Sequence, residues 1–179
     1  MIPVPFVLAL LLVRVGEARP SRLLVTGGVI MVVLGEALRL WGVHHIGVIS
    51  RTRSDRLGPL VAGGPFALVR NPLYLGNIAL WVGFALSARL VWMAPLLAVV
   101  LALKYHAIVR WEERLLDQRL GDRYRAYKAS VPRWIPRAGA RFPAPAVSGH
   151  RWRDTFFSER GTLIAIVTGY ALLWMKARF

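Results

Sequence analysis

The sequence predicts an all-α integral membrane protein with four to five transmembrane helices. Composition, charge and long apolar runs predict it together. Of 179 residues, 56% are hydrophobic and only 18% charged, and the mean hydropathy is +0.48. Soluble domains carry about 25% charged residues, so disorder is excluded and an ordinary soluble globule is disfavoured. The formal charge is +15, from 24 Lys+Arg against 9 Asp+Glu. In so apolar a chain this excess reads as basic membrane faces, because nucleic-acid modules seldom carry several charge-free apolar runs. The absence of cysteine excludes disulfides, zinc–thiolate sites and a thiol nucleophile.

The elements follow in order. Residues 3–13 carry no charge, and Arg14 ends the run. No basic region precedes it and Val15-Gly16-Glu17-Ala18 makes a poor cleavage site, so it reads as a short uncleaved first helix. Residues 23–43 span about one bilayer. They hold Glu36 and Arg39, three apart on one face. The favoured reading is a mutual ion pair with Arg39 snorkelling; the alternative is a polar group facing a site inside the bundle. Residues 73–109 are nearly continuously apolar, too long for one straight crossing, so two antiparallel helices turning at Ser87-Ala88-Arg89 are expected. Pro95 is expected to kink the second. Gly76 and Gly83, seven apart, mark a face for close helix approach. Residues 161–175 form a short last run closed by Lys176 and Arg178.

With five spans, the 44–72 loop and the 104–160 segment share one side. That side carries Arg51, Arg53, Arg56, Arg70 and most later arginines, against Arg14, Arg19, Arg22, Arg89, Lys176 and Arg178 on the other. The positive-inside rule places the richer side in the cytoplasm. The whole chain reads as one membrane domain. Residues 1–56 hold the N-terminal helices and a loop, 57–137 a core with the hairpin, and 138–179 a loop and the C-terminal helix.

Two polar segments flank the hairpin. Residues 57–77 crowd Gly58, Pro59, Gly63, Gly64, Pro65 and Pro72 among apolar Leu60, Val61, Phe66, Leu68 and Val69. Such a stretch turns. It is either a tight connector or a rigid loop whose backbone N–H groups meet a ligand. Pro72 suits a helix's first turn, Asn71 the cap before it, and Tyr74 and Asn77 share one face. After the hairpin the helix continues through Lys104 to Leu116. Tyr105 and Glu112 share a face, as do His106 and Glu113. Glu112 and Glu113 pair on the helix surface with Arg110 or Arg114, or bind a ligand. Tyr124, Tyr127 and the run Val131-Pro132-Arg133-Trp134-Ile135-Pro136 read as a structured flap, and residues 137–153 as a loop or interfacial turn. His44-His45 and His106 match no metal-ligand spacing and read as structural.

These pieces, in this order, resemble the integral-membrane methyltransferases related to isoprenylcysteine carboxyl methyltransferase and the phospholipid N-methyltransferases. The likeness rests on Leu60-Val61, Gly64-Pro65-Phe66 and Val69-Arg70-Asn71-Pro72-Leu73-Tyr74-Leu75-Gly76, then a hairpin. Glu112-Glu113, Gly121 to Tyr124, Tyr127 and Val131 to Pro136 follow. It covers residues 57–137.

The resemblance implies S-adenosylmethionine as methyl donor, S-adenosylhomocysteine as product, no metal, and a cytoplasmic cofactor-binding region. It implies cofactor contacts by Leu60, Val61, Gly64, Pro65, Phe66, Arg70, Asn71, Pro72, Leu73, Tyr74 and Glu112. Arg110, Glu113 and Tyr74 are its candidate catalytic residues, and Arg110, Tyr124, Tyr127 and Arg133 its candidate substrate or lid residues. Asn71 stands where the family has His and cannot act as a base near neutral pH. Ile108 stands where the prenylcysteine enzymes carry a substrate-binding arginine, which counts against a prenylcysteine carboxylate. The expected reaction is methylation of an amine or carboxylate on a lipid or isoprenoid-like molecule, in the membrane and without nucleic acid. The alternatives are a non-catalytic membrane scaffold and a sterol-reductase-like enzyme using NADPH.

Overall fold

The computed structural model describes residues 14–46, 60–136, 142 and 151–178. The expected helix at 3–13, the arginines at 51, 53 and 56, and nearly all of the 137–150 loop lie outside the described residues. The described residues form five α-helices and no strand. These are α1 (Arg22–Ile46), α2 (Pro72–Ser87), α3 (Met93–Leu120), α4 (Asp122–Ser130) and α5 (Trp152–Arg178), with a 3-10 turn at Gly64–Ala67.

Helix α1 begins where Ser21 Oγ accepts the Leu24 N–H at 3.4 Å, satisfying one of the donors a helix start leaves open. Its 25 residues are long and apolar enough to cross a membrane, as are the 28 of α3; α2, with 16, is a shorter apolar helix. Large apolar side chains on the outer faces, among them Leu34, Leu103 and Val167, are each more than 60% exposed. Exposed apolar side chains in such number suit contact with lipid or with another protein.

Helices α1 and α2 make the most extensive contact in the bundle and run antiparallel. Glycine sets their spacing. A Cβ on Gly76 would lie 2.7 Å from the Gly35 carbonyl oxygen, and one on Gly83 2.7 Å from that of Gly28. The close-approach face expected at Gly76 and Gly83 is present, and α1 answers it with Gly28 and Gly35.

The hairpin turns where expected. Helix α2 ends at Ser87, and Arg89 takes a left-handed φ of 62° before Met93 starts α3. That conformation is uncommon for a non-glycine residue. It is held from both sides, since the Arg89 carbonyl accepts the Ala18 N–H at 2.9 Å and its guanidinium meets Glu17 at 2.7 Å. Pro95 does not kink α3. It is the third residue of the helix, in the first turn, where an N–H has no intrahelical acceptor to lose.

Helix α5 starts earlier than the apolar run suggested, at Trp152, so Trp152 and Arg153 are helical and not part of a loop. It runs the length of the bundle. Trp152 stacks on His44 at 4.0 Å, Tyr170 meets Ser87 at 3.2 Å, and Lys176 pairs with Glu17. Arg14, Arg89 and Lys176 thus gather at one end, the grouping the charge pattern anticipated. Near that end Val32, Leu80, Phe84, Ala85, Leu90 and Met93 form the main apolar core.

Gly76→Ala should destabilise the bundle by about 1–3 kcal/mol, because the new methyl meets backbone at Gly35 and the Arg39 stem. Gly27→Ala meets nothing within 4 Å and should be neutral or gain up to about 1 kcal/mol. Thermal unfolding of both variants in one detergent checks the contrast.

Candidate functional site

The opposite end of the bundle gathers the residues singled out from the sequence. The loop reaching α2 makes a tight turn at Gly64, whose φ of 57° suits glycine and whose missing Cβ leaves room for the His45 ring. Pro65 and Phe66 follow, both buried. Pro72 occupies the first turn of α2. Asn71 stands at the cap position but does not cap; its Nδ2 donates to the Arg133 carbonyl at 3.2 Å. The Arg70 N–H donates to the Pro132 carbonyl at 2.9 Å. The Gly/Pro loop and the Val-Pro-Arg segment are therefore sewn together through backbone.

The two adjacent acids of α3 have different surroundings. Glu113 is buried and draws in two arginines. Arg133 Nε donates to its Oε1 at 3.0 Å and Arg133 Nη2 to its Oε2 at 2.6 Å, while Arg70 Nη1 lies 3.0 Å from Oε1. This fork-on-carboxylate pairing is a strong, orienting one. The sequence left both acids either on the surface beside Arg110 or Arg114 or binding a ligand. Instead those two arginines are exposed, and Glu113 reaches across to the loop. Glu112 is half-buried, and Tyr74 Oη donates to its Oε1 at 2.9 Å. The Tyr74 ring stacks on Tyr105 with centroids 4.6 Å apart. Among the described residues no cation pairs with Glu112.

Helix α4 closes the underside. Gly121, at φ 52°, lets the chain leave α3 and start α4 at once. Tyr124 and Tyr127 are buried with Ala62 and Val131, and Leu60 packs against them. Tyr127 Oη donates to the Phe66 carbonyl at 2.7 Å. Burial, then the Glu113 charge, pushes the Tyr124 hydroxyl up to about 12, and burial pushes Tyr127 up as well. Both hydroxyls therefore stay protonated at physiological pH; that of Tyr127 donates, while that of Tyr124 accepts from Arg70. The Glu113 hydrogen bond raises Arg133 above its usual range, so it remains a cation.

The structure thus brings together Leu60, Gly64, Pro65, Phe66, Arg70, Asn71, Tyr74, Glu112, Glu113, Tyr124, Tyr127 and Arg133. Val61 lies in the same loop, Pro72 is buried at the start of α2, and Leu73 packs into the notch left by Gly42. Arg110 stands apart, exposed and without an ion pair among the described residues. Tyr105 and Asn77 are additions. The sequence signal for them was the shared helix face with Glu112 and Tyr74.

The described residues thus form an all-helical bundle with two helices long and apolar enough to cross a membrane and a polar site buried at one end. Residues 23–123 match the phospholipid methyltransferase family, and the chain belongs to that family. It is 31% identical over 117 residues to the nickel-cobalt-cadmium resistance protein NccN of Alcaligenes xylosoxydans xylosoxydans, covering 65% of this chain and 52% of that protein. It is 32% identical over 139 residues to the cobalt-zinc-cadmium resistance protein CzcN of Cupriavidus metallidurans, covering 75% and 60%. The matches take in 52% and 60% of these relatives' own lengths. No solved structure matches the chain.

Replacing Glu113 by Ala leaves two guanidinium groups without their carboxylate and should cost about 3 kcal/mol of stability. Asp122→Ala removes only an exposed pair with Arg125 and should cost well under 1 kcal/mol. Equal melting temperatures for the two variants would remove Glu113 from the framework.

Proposed function

We propose that this chain is an S-adenosylmethionine-dependent methyltransferase of the membrane, acting from its cytoplasmic side on the amine or carboxylate of a lipid or isoprenoid-like molecule. The observation that carries this reading is Glu112. In a chain of charge +15, it is the half-buried acid that no described cation satisfies, and it lies within the family-matched residues. Among the described residues Tyr74 donates to Oε1 and none donates to Oε2, which suits a ligand's ammonium or hydroxyl groups. The tyrosine faces beside it suit a cationic sulfonium. Arg70 Nε is buried without a hydrogen-bond partner among the described residues and suits a ligand carboxylate. These donors and acceptors fit the amino-acid and sulfonium parts of the proposed cofactor.

When bound, that cofactor supplies an electrophilic methyl group for in-line displacement. What the chain contributes is alignment and exclusion of water. We assign Glu112, Tyr74 and the 60–73 loop, including Leu60, Val61, Gly64, Pro65, Phe66, Asn71, Pro72 and Leu73, to cofactor contact. Glu113, Arg133, Tyr124 and Tyr127 hold that loop in place. Arg110, exposed at the membrane face, is assigned to the acceptor's headgroup. The metal-resistance names of the two relatives suggest the setting in which such a membrane modification acts.

Calorimetric titration with S-adenosylhomocysteine tests the reading, with NADPH in parallel. The wild-type protein should bind the first and not the second. Glu112→Gln should lose binding while its melting temperature holds. Undiminished affinity in that variant would sink the assignment.

A further inference from the structure

One buried cluster takes no direct part in the proposed site. Arg39, in the middle of α1, is buried and touches three helices. It does not snorkel. Its Nε donates to Glu36 at 3.2 Å, Nη1 to Asn77 Oδ1 on α2, and Nη2 to Glu159 and, at 3.1 Å, to Thr162 on α5. A guanidinium only donates. The Asn77 carbonyl oxygen is therefore turned toward Arg39, and the Asn77 amide N–H groups face away. The Asn77 side chain neighbours the Tyr105 hydroxyl, and an amide N–H turned that way can donate to it. Tyr105 stacks on Tyr74, and Tyr74 holds Glu112.

We propose that Arg39 is a positioning residue for Glu112, acting through Asn77 and the Tyr105–Tyr74 stack, and that Glu159 of α5 fixes Arg39 in that task. The inference rests on the proposed function for its ligand but not for its linkage. It gives α5, which lies outside the family-matched residues 23–123, a role in the site it does not touch. The physical ground is geometric. A planar guanidinium held on several edges cannot rotate, so neither can the amide it orients. The face of Tyr105 then limits where the Tyr74 ring, and so its hydroxyl, can lie.

The test uses the whole protein in detergent, with its five tyrosines labelled at the ring carbon bearing the hydroxyl. Tyr→Phe variants assign the resonances. Arg39→Leu leaves buried carboxylates without a cation and is expected not to fold, so the informative variants are Asn77→Leu and Glu159→Gln. Asn77→Leu keeps the ion pairs of Arg39 with Glu36 and Glu159 and removes the Asn77 amide that joins Arg39 to Tyr105. Both variants should shift the Tyr105 and Tyr74 resonances and leave Tyr124 and Tyr127 in place. Both should weaken S-adenosylhomocysteine binding about tenfold, which is about 1.4 kcal/mol. An unmoved Tyr74 resonance in Asn77→Leu, or unchanged affinity with a moved resonance, overturns the proposal. If the wild-type protein binds no S-adenosylhomocysteine, the cofactor reading fails, and the Tyr74 resonance alone decides the linkage.

Discussion

A charge inside a bilayer-spanning helix has to be met by other protein groups, and Arg39 is where this chain obeys that rule. The requirement fixes more than one side chain. To reach Asn77, α2 must lie close to α1, and the glycines at 28, 35, 76 and 83 permit it. To reach Glu159 and Thr162, α5 must pack along the same groove. Three helices are thereby registered to one guanidinium. Apolar packing between them is not directional, and in lipid it has little hydrophobic force behind it. The polar contact supplies the register that packing does not.

The acids elsewhere follow the same economy of charge. Glu17 joins Arg89 to Lys176, Glu113 joins Arg70 to Arg133, and Asp117 meets Arg125 and Lys128. In a strongly basic chain each of these few carboxylates meets two cations, and those of Glu17 and Glu113 come from separate stretches of sequence. Glu112 breaks the pattern. It neighbours Glu113 in sequence, yet a tyrosine hydroxyl is its partner. One acid of the pair is framework and the other has no ion pair among the described residues, and the helix makes the division by pointing them about 100° apart.

Much of this was legible in the sequence because the signals were local. The hairpin turn at Ser87-Ala88-Arg89, the glycine face at 76 and 83, and the continuation of α3 beyond Lys104 follow from runs and spacings within one or two helices. The contacts of the site were less legible. The partners of Glu113 lie 43 positions before it and 20 after, so no spacing rule reaches them. Nearby Arg110 and Arg114 were the obvious candidates and are solvent-facing. The Glu36–Arg39 pair was legible at three residues' distance and is present, but the reading of Arg39 as snorkelling fails, because Glu159 was not visible from it. Pro95 was misread because its effect depends on where the helix begins, which one turn decides.

The two ends of the bundle differ in a way that bears on where a ligand can enter. At the Glu17 end, cations and backbone bonds tie residues 14–18, the hairpin turn and the end of α5 together. Lys176 is almost wholly buried there, and Trp92 covers Gly16. At the Glu112 end the buried ties lie beneath the site, between the loop, α4 and residues 131–133, while Glu112 itself stays half-exposed. A polar ligand can reach a carboxylate that is partly open. It cannot reach the Glu17 cluster without breaking two ion pairs. The closed end therefore anchors the helices, and the Glu112 end is the more accessible of the two.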